Sequence, residues 1–138
     1  MSLEYEVTFE PSAANTNQLA QGLSRYAVSE VGDDGFRPVE IFIRDEDVLL
    51  AGVSGLLNWN WLQISLLGVD EKIRKEGLGS ELIDRSETVA RDEGCTHAHV
   101  SAFSFQASRF CESQGYERFA NFDNYPPGQA SLFYKKAL

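Results

Sequence analysis

The 138-residue chain is 43% hydrophobic, which suits one compact domain over residues 1–138 and leaves no room for a second. Its formal net charge of −9 argues against nucleic acid as a partner, because phosphates would be repelled over most of the surface. The sequence has no apolar run near the roughly 18 residues that cross a bilayer and no signal-peptide pattern at its start, so we expect a cytoplasmic protein with no membrane partner.

Cysteine and histidine are too sparse for a disulfide scaffold or a metal centre. Cys95 and Cys111 have no Cys-x-x-Cys spacing. His97 and His99 alternate with apolar residues in a strand-like segment, which places both on its polar face. The sequence therefore predicts free thiols, exposed histidines and no metal site.

The first third of the chain predicts a strand, a helix and a hairpin. Residues 3–9 alternate between apolar and polar side chains, which indicates a strand with one buried face. A helix is predicted from residue 12 to the glycine-rich break at residues 32–35. Residues 39–44 and 48–57 are then typical of two antiparallel strands around an acidic turn.

The middle of the chain predicts a strand, a basic turn, a helix and another strand. Residues 61–69 form the first strand, and Gly68 near its end has two interpretations: a bulge that splays the strand, or relief of crowding beneath the tryptophans. The helix begins among the glycines at 77 and 79 and ends at a cap on Gly94, with one apolar stripe and one charged face. Residues 96–101 form the next strand.

The turn between residues 66 and 80 has the features of a phosphate-binding site. Gly77 and Gly79 allow the backbone to approach a ligand closely, and the first N–H groups of the helix lie at the positive end of its dipole. Lys72, Arg74 and Lys75 add three cations within four positions of an otherwise acidic chain. A small polyanion at this turn would meet both features.

Spacing distinguishes three kinds of phosphate-binding loop. A nucleotide P-loop needs a lysine after its last glycine, where this chain has Ser80, and the Rossmann fingerprint needs a third glycine where Leu82 stands. The remaining pattern is Arg-x-x-Gly-x-Gly at residues 74–79. It resembles the pyrophosphate-binding motif of the GCN5-related N-acetyltransferases, the GNAT family, which hold the diphosphate of acetyl-CoA on consecutive backbone amides.

A second segment resembles the same family one helix and one strand later. GNAT proteins commonly have Asn or Gln, an alanine, and then Phe-Tyr-Glu-x-x-Gly-Phe/Tyr in this place. The matching residues are Gln106, Ala107, Phe110, Glu112, Gly115 and Tyr116. The Tyr-Pro-Pro-Gly at residues 125–128 is similar to a prokaryotic subgroup that carries this loop before its last strand, so the resemblance covers nearly the whole chain.

The resemblance implies a mixed α+β fold with a central, mostly antiparallel twisted sheet. Helices flank the sheet, which is splayed between its fourth and fifth strands. Acetyl-CoA is the implied cosubstrate, and its acetyl group passes directly to an amine of a small molecule or a peptide. The residues that the resemblance places at the cofactor, by backbone or side chain, are Leu67, Val69, Arg74, Lys75, Glu76, Gly77, Leu78, Gly79, Ser80, Gln106 and Phe110.

The resemblance also gives two catalytic candidates. The family's proton-donating tyrosine corresponds to Cys111, which is either a weak proton donor or a small buried residue. Tyr125 either borders the acceptor pocket and supplies a hydroxyl or only belongs to a stiff loop. The subgroup's histidine is replaced by Gln129, which cannot act as a base. In the family a backbone N–H meets the oxyanion, and this N–H would fall within residues 67–69.

These replacements leave a second function open, a catalytically weakened acyl-CoA-binding sensor of the same fold. A third candidate, a nucleotide-binding regulatory domain, lacks the P-loop lysine. Members of the family often form dimers, so the resemblance also makes a homodimer an expectation.

Overall fold

Among the residues that the structure describes, six strands form one sheet within residues 35–138, and the chain has three helices. The strands are β1 (Arg37–Asp45), β2 (Val48–Asn58), β3 (Trp61–Val69), β4 (His97–Phe103), β5 (Glu117–Asp123) and β6 (Ala130–Ala137). The helices are α1 (Ala13–Val31), α2 (Leu78–Asp92) and α3 (Ser108–Ser113), with one 3-10 turn at Glu71–Ile73. This computed structural model describes residues 1–74, 76–106 and 108–138 and divides the chain into two units, Met1–Asp34 and Gly35–Leu138.

The sheet confirms the predicted mixed α+β class. Its strand order is β1-β2-β3-β4-β6-β5, and four of the five neighbouring pairs are antiparallel. The predicted hairpin and the two closing strands are present. In the described parts of the chain no helix is long and apolar enough to cross a bilayer. That the whole chain acts as a single domain stays a prediction.

The first unit contains the predicted helix but not the predicted strand. The side chain of Ser12 caps α1 by accepting a hydrogen bond from the N–H of Asn15 (3.3 Å). Residues 3–9 form no strand, and Tyr5 and Phe9 are 93% and 96% exposed. The prediction of a half-buried strand here was wrong for this chain because a strand needs a neighbouring backbone to pair with, and Met1–Asp34 contains no other strand.

Strands β3 and β4 confirm the predicted splay, and they are the third and fourth strands because the first predicted strand does not form. They pair in parallel over four residues each, 61–64 with 97–100. Beyond Ile64 and Val100 no pairing joins them in the described chain, although β3 continues to Val69 and β4 to Phe103. The strands therefore part at the ends that lead toward α2 and α3.

An irregularity in β3 rotates the end of this strand. Ser54 pairs with Leu66 and Gly55 with Ile64, so Ser65 is an extra residue. After it, Leu67 packs toward the core, whereas Leu66 is 70% exposed.

Gly68 is not the bulge residue, and neither interpretation of it holds. It pairs regularly with Gly52, and a Cβ on Gly68 would meet no atom within 4 Å. The crowded glycine is Gly55, where a Cβ would lie 2.3 Å from the carbonyl oxygen of Gln63. The glycine that this irregularity requires is therefore on the opposite strand from the one predicted.

The core lies between α2 and the sheet. Leu82, Ile83 and Ala90 of the helix pack on buried residues of the strands, which are Ala51, Val53, Leu57, Leu62, Ile64 and Ala98. Gly94 and Gly115 have φ of +91° and +90° after α2 and α3, and the first of these values confirms the predicted cap at Gly94.

The two histidines of β4 are half-buried and not fully exposed as predicted. The rings of His97 and His99 lie 4.7 and 5.8 Å from the ring of Trp61. Burial lowers the pKa of His99, so its ring is mainly neutral at pH 7. The two residues therefore form an aromatic cluster on the sheet surface.

Candidate active site

A cavity of about 270 Å³ occupies the gap where β3 and β4 part. Its walls come from residues 64–67 of β3, residues 100–102 of β4 and the region around α3. On the far side of each strand the backbone is already paired, β3 with β2 and β4 with β6. The edges that face each other across the gap therefore keep backbone N–H and C=O groups that can pair with an extended ligand.

The start of α2 has the geometry of an anion site. Gly77 occupies the N-cap position with φ +77°, a left-handed conformation that favours glycine, and it provides no side-chain cap. The N–H groups of residues 78–80 precede the first intrahelical bond, in which the N–H of Glu81 donates to the Gly77 carbonyl (3.1 Å). These N–H groups and the helix dipole favour a negatively charged group.

Gly79 connects this helix start to the cavity. A Cβ at Gly79 would lie 3.4 Å from Cζ of Phe110 and 4.0 Å from Cδ2 of Leu67, and both of those residues line the cavity. Ser80 adds a hydrogen bond, since its Oγ donates to Oε1 of Gln114, another lining residue (3.0 Å). The start of α2 and the gap between the strands thus form one continuous site.

At this turn, the side chain of Arg74 is hydrogen-bonded to the end of β3. Its Nε donates to the carbonyl oxygen of Val69, the last residue of β3, at 3.2 Å. Arg74, Glu76 and Gly77 are exposed, and residues 78–80 are half-buried. Lys75, a predicted cofactor residue, and Ala107 of the second motif lie outside the described residues.

The second motif supplies the far wall of the cavity. Gln106 and Phe110 both line it, and Oε1 of Gln106 accepts a hydrogen bond from the N–H of Phe103 at 3.1 Å. The structure thus gathers Leu67, Gln106 and Phe110 around one space, with residues 76–80 at its edge. Val69 lies further along β3, where its carbonyl holds Arg74.

The two catalytic candidates differ in burial and in their position relative to the cavity. Cys111 lines the cavity and is 6% exposed, and burial, with a smaller contribution from the Glu112 carboxylate, raises the pKa of its thiol. Tyr125 is 57% exposed, with its ring 6.0 Å from that of Phe103 and 6.2 Å from that of Phe122. Tyr125 is not among the described residues that line the cavity.

A buried polar network that was not predicted from the sequence lies beside the cavity. Oη of Tyr116 donates to Oε2 of Glu87 (2.7 Å), and Nζ of Lys136 donates to both carboxylate oxygens (2.9 and 3.1 Å) and to the carbonyl of Gln114 (2.8 Å). Tyr116 and Gln114 also line the cavity. The sequence contains one indication of this network. Glu87 stands four residues after Ile83, so a charge falls on the apolar stripe of α2.

Gln129 has a structural contact at the end of β4. Its Oε1 accepts a hydrogen bond from Oγ of Ser104 at 2.7 Å, and that Oγ accepts one from the N–H of Ala130 at 2.9 Å. Gln129 thereby fixes the loop before β6 to the end of β4.

Comparison with known proteins is consistent with this geometry. Residues 7–116 match the Acetyltransferase (GNAT) family. A blasticidin-S acetyltransferase from Streptomyces morookaense is 39% identical over 107 residues, which cover 74% of this chain and 79% of the relative.

Solved structures resemble the whole fold. The crystal structure of an acetyltransferase from Bacillus cereus superposes with a TM-score of 0.82 at 27% identity, covering 96% of this chain and 98% of the other. The structure of an aminoglycoside 6'-N-acetyltransferase complexed with coenzyme A superposes with a TM-score of 0.67, covering 91% and 92% of the two chains. At 14% identity, this second likeness concerns the fold.

Proposed function

Because the chain belongs to the GNAT family of acetyltransferases, we propose that it binds acetyl-CoA at the start of α2 and transfers the acetyl group directly to an amine of a small molecule. The observation that carries this proposal is the parting of β3 and β4 beside an uncapped helix start. A thioester arm and a diphosphate need these two features next to each other. Gly79 lies against Phe110 and Leu67, which supports a single site formed by the helix start and the gap between the strands.

The described residues fit acetyl-CoA as cosubstrate. Its diphosphate is held by the backbone N–H groups of residues 78–80, with Glu76 and Gly77 as the turn that exposes them and Arg74 as a countercharge. Its pantetheine arm lies in the gap and pairs with backbone of residues 67–69, with Gln106 and Phe110 as the opposite wall. When bound, acetyl-CoA supplies an acetyl group activated as a thioester.

The contribution of this chain to the chemistry is mainly positioning and hydrogen bonding. A backbone N–H within residues 67–69 stabilises the developing oxyanion, and this role requires no particular side chain. The apolar walls from Leu67 and Phe110 limit water near the reacting carbon. Holding two substrates in register supplies a large part of the rate enhancement, so a site without a strong general acid still accelerates transfer.

The acceptor is a small amine that carries positive charge in solution. A net charge of −9 attracts such molecules toward the protein. The relative named as a blasticidin-S acetyltransferase makes blasticidin S the first acceptor to test, followed by aminoglycosides and polyamines. A peptide amine is the alternative acceptor class.

Two measurements test the proposal. Titration with acetyl-CoA and, in parallel, with ATP tests the cosubstrate, and we expect acetyl-CoA to bind more tightly. Tighter ATP binding would overturn the assignment. Release of free CoA thiol in the presence of each amine then tests catalysis. Tight acetyl-CoA binding with no turnover on any amine would favour the acyl-CoA-binding sensor.

Replacing Cys111 by alanine should leave turnover within about threefold of the original protein. The raised pKa keeps the thiol protonated at pH 7 to 8, and a thiol is a weak hydrogen-bond donor, so we expect Cys111 to act by packing. CoA-thiol release under saturating acetyl-CoA measures this. The matched control is Cys95→Ala, a buried thiol in the core that does not line the cavity.

A different result would assign chemistry to Cys111. Loss of a general acid lowers turnover by about 10² to 10⁴. Such a loss in Cys111→Ala, with unchanged acetyl-CoA affinity and a normal Cys95→Ala, would identify the thiol as the proton donor.

A further inference from the structure

The face of the sheet opposite α2 carries a depression over β1, β2 and β3. Ile41 faces α2, so its neighbours Glu40 and Phe42 point to the opposite face. The depression measures about 340 Å³, and its walls include Glu40, Phe42, Ser54 and Leu66. Every residue that lines it belongs to the unit Gly35–Leu138, so the depression is a feature of that unit alone.

One row of residues crosses the depression from β1 to β3. Glu40 pairs with Ser54, and Ser54 pairs with Leu66, so the three residues lie side by side on neighbouring strands. Because neighbouring strands are about 4.8 Å apart, the backbone of Glu40 lies about 10 Å from that of Leu66. The row therefore has a carboxylate at one end and an apolar side chain at the other.

The neighbouring row forms a floor in which two of the three residues are glycines. Phe42 pairs with Gly52, and Gly52 pairs with Gly68. The Phe42 ring lies over Gly52, where a Cβ would come within 2.7 Å of its Cδ1 atom. A Cβ on Gly68 would meet no atom within 4 Å. The floor at Gly68 is therefore open, and a flat or slender molecule can lie directly on the backbone there.

Leu66 connects this depression to the candidate active site. It lines both the depression and the cavity between β3 and β4. It also directly precedes residues 67–69, whose backbone is proposed to stabilise the oxyanion. An amine that approaches the thioester from this face therefore passes Leu66, and the rest of the acceptor molecule lies in the depression.

Glu40 is the carboxylate of this depression that can pair with a bound cation. It is exposed, and among the residues that the structure describes none forms an ion pair with it. Asp70 also lines the depression, but its Oδ1 already accepts a hydrogen bond from the N–H of Lys72 at 2.8 Å. The guanidinium of Arg44 lies 5.4 Å from the centre of the Phe42 ring, and Arg44 is not among the described residues that line the depression.

We propose that the acceptor carries two cationic groups about 10 Å apart, of which one enters the gap beside Leu66 as the reacting amine and the other pairs with Glu40. This inference rests on the proposed acetyltransferase function and names the acceptor class of the same site. The segment between the two groups is flat or slender, because it lies on the open floor at Gly68. A net charge of −9 adds a general attraction for such a dication.

Glu40 acts on acceptor binding and not on the transfer step. In that step the deprotonated amine nitrogen bonds to the acetyl carbon, the thioester C–S bond breaks, CoA leaves as the thiolate and one amine proton passes to solvent. Glu40 lies about 10 Å from the gap, so it contacts the acceptor away from the reacting atoms. Its loss should therefore raise KM for a dication and leave kcat unchanged. Because ion pairs between exposed groups are weak, we expect an effect of about fivefold.

The kinetic test compares diaminooctane with octylamine, which share a carbon chain and differ in the second ammonium group. Release of free CoA thiol gives kcat and KM for each amine. We expect KM to be about fivefold lower for the diamine in the original protein, and we expect Glu40→Gln to remove this difference. The matched control is Glu117→Gln, which removes one exposed carboxylate from β5 at the other end of the sheet and should preserve the difference. Equal KM values in the original protein, or a difference that survives Glu40→Gln, would overturn the proposal.

Equilibrium binding tests the dication site without using activity. Isothermal titration with diaminooctane, in the absence of acetyl-CoA, should show binding that Glu40→Gln weakens about fivefold. Ser54→Leu places a bulky side chain in the middle of the row and should weaken binding at least as much. Circular dichroism checks that both variants are folded. Diamine binding that is unchanged in both variants would contradict the dication site, even where acetyl transfer to other amines proceeds. Binding that depends on Glu40, with no transfer to any amine, would instead contradict the acetyltransferase function and support the dication site.

Discussion

Gly77→Asp should weaken acetyl-CoA binding on the order of 100-fold. Gly77 faces open space at the start of α2, so a side chain there meets no atom within 4 Å and projects into the region of the helix N-terminus. A carboxylate about 6 Å from a phosphate charge costs roughly 2.8 kcal/mol at an effective dielectric constant of ~20, which is about a 100-fold change in affinity. Isothermal titration with acetyl-CoA measures it.

Two variants isolate the charge from the backbone. Gly77→Asn has nearly the same shape and also tolerates the φ of +77°, so its affinity should fall about threefold at most. Gly94→Asp places the same residue at another left-handed position, after α2, and should bind normally. The difference between Asp and Asn at position 77 should shrink in 1 M salt. If Gly77→Asp binds acetyl-CoA as tightly as the original protein, the diphosphate does not bind at this turn.

Glu87→Ala should destabilise the protein by about 3 to 5 kcal/mol. The Glu87 carboxylate is 2% exposed and accepts hydrogen bonds from Tyr116 and Lys136. Removing it leaves the ammonium of Lys136, 22% exposed, and a buried phenol without their partner. Breaking a buried ion pair from one side carries a cost of this size. Urea unfolding followed by circular dichroism gives the free energy of unfolding.

The same helix provides the control. Glu81 pairs with Arg85 at 2.9 Å, but both side chains are at least half exposed, so Glu81→Ala should change the free energy of unfolding by less than about 1 kcal/mol. The double variant Glu87→Met with Lys136→Met should recover most of the loss, because no charge is then left buried. A Glu87→Ala protein as stable as Glu81→Ala would show that the network contributes nothing.

The site was predictable where it depends on local backbone chemistry. Glycines at 77 and 79 predict a helix that begins between them, and α2 does begin at Leu78, with Gly77 in a left-handed conformation before it. The resemblance to the second GNAT motif pointed to Gln106 and Phe110, and both residues line the cavity. Whether they bind acetyl-CoA stays a prediction.

The environment of the catalytic candidates was harder to predict from the sequence. Cys111 and Tyr125 differ in burial because one belongs to α3 against the core and the other to an exposed loop. The pairing of Glu87 with Lys136 joins residues 49 positions apart, and no local pattern encodes it. The bulge falls at Ser65 because Gly55, on the neighbouring strand, has no Cβ. A Cβ there would lie too close to the carbonyl oxygen of Gln63.

By itself, the sequence determined the hairpin of β1 and β2, strand β3, helix α2, strand β4 and the cap at Gly94, because alternation, helical spacing and glycine conformation act over a few neighbouring residues. The tertiary structure decided where β3 and β4 part, which polar groups are buried and why residues 3–9 form no strand. Each of these depends on which backbone edge or charge a distant segment brings alongside, and pairing across space is a property of the assembled sheet.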